Sequence, residues 1–416
     1  MASASRVTAC RACGGTLGIP FCDLGATPLA NSYVPPDQAA QPDPVFPLNA
    51  VVCQHCFLVQ LDHVVDAADI FSEYAYFSSY SSSWLKHAAD FARAAIARYR
   101  LDAGNFVVEI ASNDGYLLRN FVAAGVPCLG VEPAANVAAA AIAAGVPTQV
   151  AFFGRDCAAE IVRARGHAEL VIANNVLAHV PDVNDFVAGL AALAGPRGTV
   201  SIEAPHLLAL IEQVQFDTIY HEHYAYWSLL AMRRLLAAHG MQVYAVERLP
   251  THGTSLRVLA SADPGCGARH SAADLTLVQE VEARAGLHTA APYHGFDAKV
   301  HAVIAGFRAW LEQAHAAGRR VAAYGAAAKG NTFLNAGKLT AADIILVADR
   351  NPAKQGRLLP GSRIPVVSPE QLLASRPDDV VILPWNLAGE IAGALQPVRD
   401  WGGRLLVAVP QVRQIA

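Results

Sequence analysis

The stretch Val107-Val108-Glu109-Ile110-Ala111-Ser112-Asn113-Asp114-Gly115 decides how this chain folds. From Phe106 to Ile110 it is a short apolar, β-branched run, the kind that suits a parallel strand buried on both faces. Glu109 stands near its end, and Asp114-Gly115 supplies a tight turn. The next apolar run, Leu129-Gly130-Val131-Glu132, also ends in an acid. Acids at the ends of successive strands, around a turn, form a nucleotide-cofactor loop, with Glu132 set to accept hydrogen bonds from both hydroxyls of a ribose. The GxGxxG pattern is missing, because Ser112 and Asn113 stand where glycines would let the backbone hug a pyrophosphate. A cofactor without phosphate, such as S-adenosylmethionine, fits better. Asp114 would meet the ammonium of its methionine part, and Phe152 or Phe153 would flank its adenine.

Outward from this loop the alternation continues. Thr148-Gln149-Val150, Leu170-Val171-Ile172-Ala173-Asn174 and Thr199-Val200-Ser201-Ile202-Glu203 read as further strands, with helices over 116–124 and 136–144. This is a doubly wound α/β series, whose ligands sit at the carboxyl ends of the strands, so Asn174 joins the expected cofactor set. From about residue 290 the pattern restarts, with a long amphipathic helix over 296–317 and strands at 320–324, 344–348, 380–383 and 405–408. That predicts a second, smaller Rossmann-like unit. The expected division is 1–65, 66–265, a helical connector over 266–300, and 301–416.

Residues 1–65 are rich in proline and turns and have little core, so they need a staple. Cys10/Cys13 and Cys53/Cys56 form two CxxC pairs. Four thiolates close a tetrahedral site with no water position, which predicts structural zinc. A redox dithiol is the alternative, but no strand-CxxC-helix context accompanies either pair.

The chain has 416 residues, 53% hydrophobic and 16% charged, with a formal net charge of −4. That length supports two or three domains with buried cores, and that composition excludes a disordered chain. Binding duplex phosphate takes clustered Lys and Arg, and none is present, so a zinc-ribbon nucleic-acid-binding protein is disfavoured. The most apolar run, Ala134 to Val146, is interrupted by Asn136 and bounded by Pro133 and Pro147. It is too short to cross a bilayer, and no membrane partner is expected. No apolar h-region precedes Cys10, so a cytoplasmic location is expected, with a monomer as the expected state.

The chemistry concentrates in Tyr220-His221-Glu222-His223-Tyr224. A histidine titrating near neutrality suits abstraction of a proton α to a carbonyl, and Glu or Tyr neighbours can orient it or tune its pKa. The spacing alone leaves the geometry open. A strand would put the two histidines on one face, whereas a loop would let all five residues converge. His179 follows the fourth strand and belongs at the same pocket edge. The segment Tyr74 to Ser83, with Tyr76, Phe77 and Tyr80, reads as a lid or pocket wall. In the C-terminal unit, Lys329 and Asn331 follow a glycine-bearing loop where an ammonium and backbone N–H groups can meet a diphosphate. Asp349 ends the next strand and would read a nucleoside, with Asn351 and Lys354 after it. An NAD(P)-dependent sugar oxidoreductase using this unit is the alternative enzyme, again without a GxGxxG signature.

Taken together and in order, these motifs resemble the bacterial deoxysugar C-methyltransferases. The resemblance rests on both CxxC pairs, on 109–118 and 130–134, on Tyr220 to Tyr224, on Tyr324 to Thr332, and on Asp349 to Gly356. It implies a zinc-binding N-terminal domain, a central class I S-adenosylmethionine domain and a C-terminal Rossmann-like domain that helps hold a nucleotide sugar. The implied reaction is methylation at C3 of a dTDP-linked 4-keto-6-deoxy sugar, the nucleotide being open between dTDP and GDP. His223 would remove the C3 proton to give an enolate that attacks the methyl sulfonium. Tyr220, Glu222 and Tyr76 would lie near the sugar, with Glu222 orienting the imidazole. Either His179 or Tyr220 would donate to the C4 oxygen, and His221 would be structural. The chain departs from the family pattern at His252-Gly253-Thr254, where a second glycine is expected at Thr254.

Overall fold

In the computed structural model, residues 4–66, 70, 78–266 and 274–415 are described, so Tyr76 lies outside the described residues. The central domain is built on a seven-stranded sheet. Its order is Gln242–Leu249, Ser255–Ser261, Thr199–Pro205, Leu170–Asn174, Val107–Ile110, Cys128–Glu132, Thr148–Val150. The five strands from 107 to 205 are parallel, and Ser255–Ser261 and Gln242–Leu249 add an antiparallel margin. All four residues of Val107–Ile110 are buried, as the apolar run requires. From this strand the chain winds first towards Cys128–Glu132 and Thr148–Val150, then returns to Leu170–Asn174 on its other side. The crevice at that reversal is where a doubly wound sheet holds its ligand. Ile110 and Asn174 border it.

The C-terminal sheet runs Val366–Val367, Val347–Ala348, Val321–Tyr324, Asp379–Ile382, Arg404–Val407, Arg413–Gln414, parallel except at its last pair. Its reversal point lies between Val321–Tyr324 and Asp379–Ile382. The loops carrying Gly325 and Trp385 therefore frame that crevice.

A third, antiparallel sheet contains Leu17–Thr27, Phe46–Cys53 and Val59–Leu61, completed by Ala225–Tyr226 from the middle of the chain. That last strand follows the Tyr220–Tyr224 block directly, so the N-terminal sheet fixes where the block sits. This sheet shares a core with the C-terminal unit. Phe21 stacks on Phe296 of the helix Phe296–Ala316 at 4.4 Å, and Phe307 and Phe333 lie in the same cluster. Burying each such ring contributes roughly 1.5–3 kcal/mol, enough to hold the outer units together around the central domain. Among the described residues, no helix is long and apolar enough to cross a membrane.

Candidate active site

At the cofactor loop, Ala111, Asn113 and Gly115 all take positive φ (54°, 50° and 76°), which folds the chain tightly over the strand ends. The loop can drop this low because Gly130 lacks a side chain: a Cβ there would lie 2.3 Å from Ser112 Oγ. The Glu132 carboxylate is held at both oxygens, by Asn113 N–H at 3.0 Å and Ala134 N–H at 2.9 Å. Asn113 Oδ1 accepts from Ser78 N–H, and Asp114 Oδ2 from Ser79 N–H. Glu109 Oε2, Ser112 Oγ, Asp114 Oδ1 and Asn174 Oδ1 are buried without a hydrogen-bond partner among the described residues.

Burial pushes the Glu109 carboxyl well above the usual range, and Glu132 and Asp114 add to the effect. Three converging acids and four unpartnered polar atoms suit a ligand that brings N–H and O–H donors and positive charge. S-adenosylmethionine, with its sulfonium, ammonium and ribose, meets that demand. A pyrophosphate would be repelled. Phe153 sits edge-on to Phe186 at 5.5 Å in the core, whereas Phe152 is 55% exposed and open to cover a base.

The Tyr220–Tyr224 block is an irregular turn that converges on His223. His223 Nδ1 lies 2.8 Å from the Thr218 carbonyl oxygen, which can only accept, so Nδ1 carries the proton. Nε2 then keeps its lone pair and accepts from the Tyr220 hydroxyl at 2.7 Å. The two rings lie 4.0 Å apart, and the His179 ring stands edge-on at 4.7 Å. Burial holds His223 well below its ordinary value, helped by His179, Lys329 and His252 and opposed by the Thr218 carbonyl. Burial likewise lowers His179 to about 4, against a hydrogen bond with the Glu222 backbone.

The orienting role expected of Glu222 falls instead to Thr218, because both His223 nitrogens are taken. Glu222 Oε1 accepts from Asn31 Nδ2 at 2.6 Å. His221 is buried, with Nε2 3.2 Å from the Phe46 carbonyl.

The C-terminal unit closes the far side. Lys329 is half-buried, its Nζ shielded from solvent, 5.0 Å from the centre of the Trp385 ring and without a hydrogen bond among the described residues. Its charge acts on Asp217, His223 and His252 of the central domain. Trp385 Nε1 donates to Asp217 Oδ2 at 2.7 Å. Gly253 is required beneath Trp385, since a Cβ would lie 2.3 Å from the indole. Asn331 Nδ2 donates to the Ala30 carbonyl, and Lys354 Nζ to the Ala326 carbonyl at 2.8 Å. Asp349 Oδ1 accepts from Asn351 N–H, and Asp349 Oδ2 lies 3.5 Å from Lys354. Tyr33, whose hydroxyl also reaches Ala326, carries the N-terminal segment to the same place.

The four expected metal ligands meet. Cys10 and Cys56 sulfurs are 3.5 Å apart, Cys13 and Cys53 are 3.6 Å apart, and all four lie within 4.8 Å of one another. Zn–S bonds of about 2.3 Å in a tetrahedron separate sulfurs by about 3.8 Å, so the cluster fits zinc. Burial raises the Cys53 thiol, and the His55 and Cys56 N–H groups that point at its Sγ oppose that shift. The zinc knuckles reach the reaction block through Leu61 N–H to the Tyr224 carbonyl and Tyr224 hydroxyl to the Val65 carbonyl.

Several residues at the site escaped sequence reasoning. Asn175 has φ 55° and both amide atoms buried without partners among the described residues. Its place immediately after a predicted strand was the available signal. His252 has φ 53° and lies edge-on to Trp84 at 5.2 Å. Asp217 stands three residues before Tyr220, and an acid beside a cluster of bases is a signal for a role. The Thr218 carbonyl carried no sequence signal.

Three family models match the chain. They are described as a zinc binding domain over residues 10–71, a methyltransferase domain over 84–246, and a C-methyltransferase C-terminal domain over 250–410. The C-methyltransferase NovU of Streptomyces niveus is 36% identical over 408 residues, covering 98% of this chain and 96% of that protein. The ubiquinone biosynthesis O-methyltransferase of Rhodopseudomonas palustris (strain BisA53) is 29% identical over 100 residues, 24% of this chain and 40% of its own length. Among solved structures, magnesium protoporphyrin IX methyltransferase from Synechocystis PCC 6803 with bound SAH aligns at a TM-score of 0.35 and 17% identity. That alignment covers 42% of this chain and 82% of that one. With the cofactor crevice, the buried imidazole and the four-cysteine cluster described above, the full-length match decides the family: the chain belongs to the S-adenosylmethionine-dependent C-methyltransferases.

Proposed function

We propose that this enzyme methylates C3 of a dTDP-linked 4-keto-6-deoxy sugar after His223 removes the C3 proton. The observation that carries the proposal is the state of His223. Its proton is fixed on Nδ1 by Thr218, its Nε2 lone pair meets the Tyr220 hydroxyl, and burial keeps the ring neutral. A neutral imidazole in a water-poor crevice is suited to a weakly acidic C–H next to a ketone. S-adenosylmethionine supplies an electrophilic methyl group. The substrate C–H would displace the Tyr220 hydroxyl from Nε2, and the released O–H becomes a donor for the C4 oxygen. His179, packed edge-on against the base, borders the same space.

The nucleotide end is assigned to the C-terminal unit, where Asp349, Asn351, Lys354 and Asn331 lie around the Ala326 turn. The acting state is proposed to be a monomer.

A 4-ketone acidifies the hydrogens on both flanking carbons, so the test must locate the methyl group. Methyl-labelled S-adenosylmethionine is incubated with dTDP- and GDP-linked 4-keto-6-deoxy sugars, and products are read by NMR. The label is expected on C3 of the dTDP sugar. A label on C5 would move the reacting carbon, and a label on oxygen or nitrogen would overturn the proposal.

A further inference from the structure

Lys329 is the second residue of the helix Ala328–Ala336, directly after the Gly325 turn of the C-terminal sheet. Its ammonium is buried and lies over the face of Trp385 at 5.0 Å. Among the described residues it has no hydrogen-bond acceptor, although it can donate three hydrogen bonds. The nearby acid, Asp217, does not supply one. One of its oxygens is taken by Trp385 Nε1, and the other, Oδ1, is buried without a partner. The ammonium and the carboxylate attract each other, yet neither Lys329 Nζ nor Asp217 Oδ1 has a hydrogen-bond partner among the described residues, and such an arrangement is costly unless a ligand completes it. The groups that feel the Lys329 charge are Asp217, His223 and His252, all from the central domain. Trp385, whose ring the ammonium covers, donates to Asp217, the neighbour of the Thr218 whose carbonyl orients His223, so the ammonium stands beside the turn that holds the base.

We propose that Lys329 is a catalytic residue whose ammonium stabilises the negative charge that forms on the substrate's carbonyl oxygen when His223 removes the neighbouring proton. The proposal rests on the proposed function above. The C–H bond breaks, its proton goes to His223 Nε2, and the electron pair moves through the new C=C bond onto the oxygen facing Lys329. The pair returns to carbon as the C–CH3 bond forms and the sulfonium C–S bond breaks, so no oxidant or reductant is needed. A fixed cation in a site closed to water is the arrangement that stabilises such an oxyanion, and Trp385 holds it there without neutralising it.

The test is Lys329→Met, which keeps the volume and removes the charge, assayed with the dTDP-linked 4-keto-6-deoxy sugar. Three quantities are read: kcat and KM for methyl transfer, solvent-deuterium entry at the carbon next to the ketone, and the Kd of dTDP alone. Methyl transfer and deuterium entry should both fall about 10²–10³-fold, the usual effect of removing one oxyanion donor, with KM and the dTDP Kd nearly unchanged. Added methylammonium should restore part of the rate to Lys329→Ala, which a merely structural lysine would not allow. If Lys329→Met loses S-adenosylmethionine binding through misfolding, Lys329→Gln takes its place in the same assays.

A raised KM and dTDP Kd with kcat preserved would make Lys329 a diphosphate ligand and overturn the proposal. Unchanged deuterium entry would overturn it equally. The proposed function fails separately, through a wild-type enzyme that neither exchanges that hydrogen nor methylates a keto sugar.

Discussion

The Nδ1 of His223 lies 2.8 Å from the carbonyl oxygen of Thr218, and this one contact fixes which nitrogen of the imidazole is basic. Thr218 belongs to the turn Phe216–Thr218, whose Asp217 is held by Trp385 of the C-terminal unit. The block then continues into Ala225–Tyr226, a strand of the N-terminal sheet. The base is therefore positioned by all three parts of the chain.

Burial, with His179, Lys329 and His252, holds His223 below its ordinary value of 6.5. In the proposed mechanism the neutral form is the active one, so lowering the pKa extends activity towards acid. We expect kcat/KM to stay level from neutral pH to below 6.5 and to fall only on the acid side. Initial rates at constant ionic strength check this, and an acid limb centred above 6.5 would point to another base.

Glu132 shapes the cofactor site twice, through its oxygens and through the backbone N–H groups of Asn113 and Ala134 that it anchors. Glu132→Ala should weaken S-adenosylmethionine binding about 10- to 100-fold, the cost of losing charged hydrogen bonds worth about 1.5–3 kcal/mol. Glu132→Gln, which keeps one acceptor, should lose less. Calorimetric titration compares the two.

Zinc is expected to matter for activity without touching substrate. Cys53→Ser, or a strong chelator, should release one zinc ion per chain, loosen the knuckles and disturb the Leu61–Tyr224 and Tyr224–Val65 contacts beside the base. Turnover should fall steeply while S-adenosylmethionine still binds, because the cofactor loop stands on the central sheet. Metal analysis and cofactor titration on the same sample read both effects.

Thr254 adopts φ 108°, where a β-branched residue is strained. Thr254→Gly should relieve a cost on the order of 1–3 kcal/mol and give back part of it as unfolded-state entropy, for a net gain of about 1 kcal/mol. Calorimetric melting should show a higher Tm.

Parallel strands such as Val107–Ile110 and Leu170–Asn174 were legible because they are buried almost throughout and read as apolar runs. The cysteine cluster was legible because a tetrahedral ion demands four thiolates at knuckle spacing. The antiparallel margin was not. Gln242–Leu249 mixes exposed and buried positions, and Ser255–Ser261 buries Arg257, which is tolerable only because Glu203 and Glu247 pair with it across the sheet. Ala225–Tyr226 is two residues long and finds its partners in a distant part of the chain. The place of Lys329 after a glycine turn was legible, whereas its packing on Trp385, which comes from a loop far along the chain, was not. Glu222 was given the orienting role because it is a side chain, while the group that fills that role is a backbone oxygen.

The central claim, that His223 takes a proton from carbon before the methyl group arrives, is tested most directly by solvent deuterium. Wild-type protein and His223→Asn are each incubated with a dTDP-linked 4-keto-6-deoxy sugar in D2O, with and without S-adenosylmethionine, and C3 is read by NMR and mass spectrometry. Wild type should lose the C3 hydrogen and place the methyl group on that carbon. His223→Asn should do neither while binding S-adenosylmethionine with near-normal affinity. A methylated product that keeps its original C3 hydrogen, or full turnover by His223→Asn, would contradict the account.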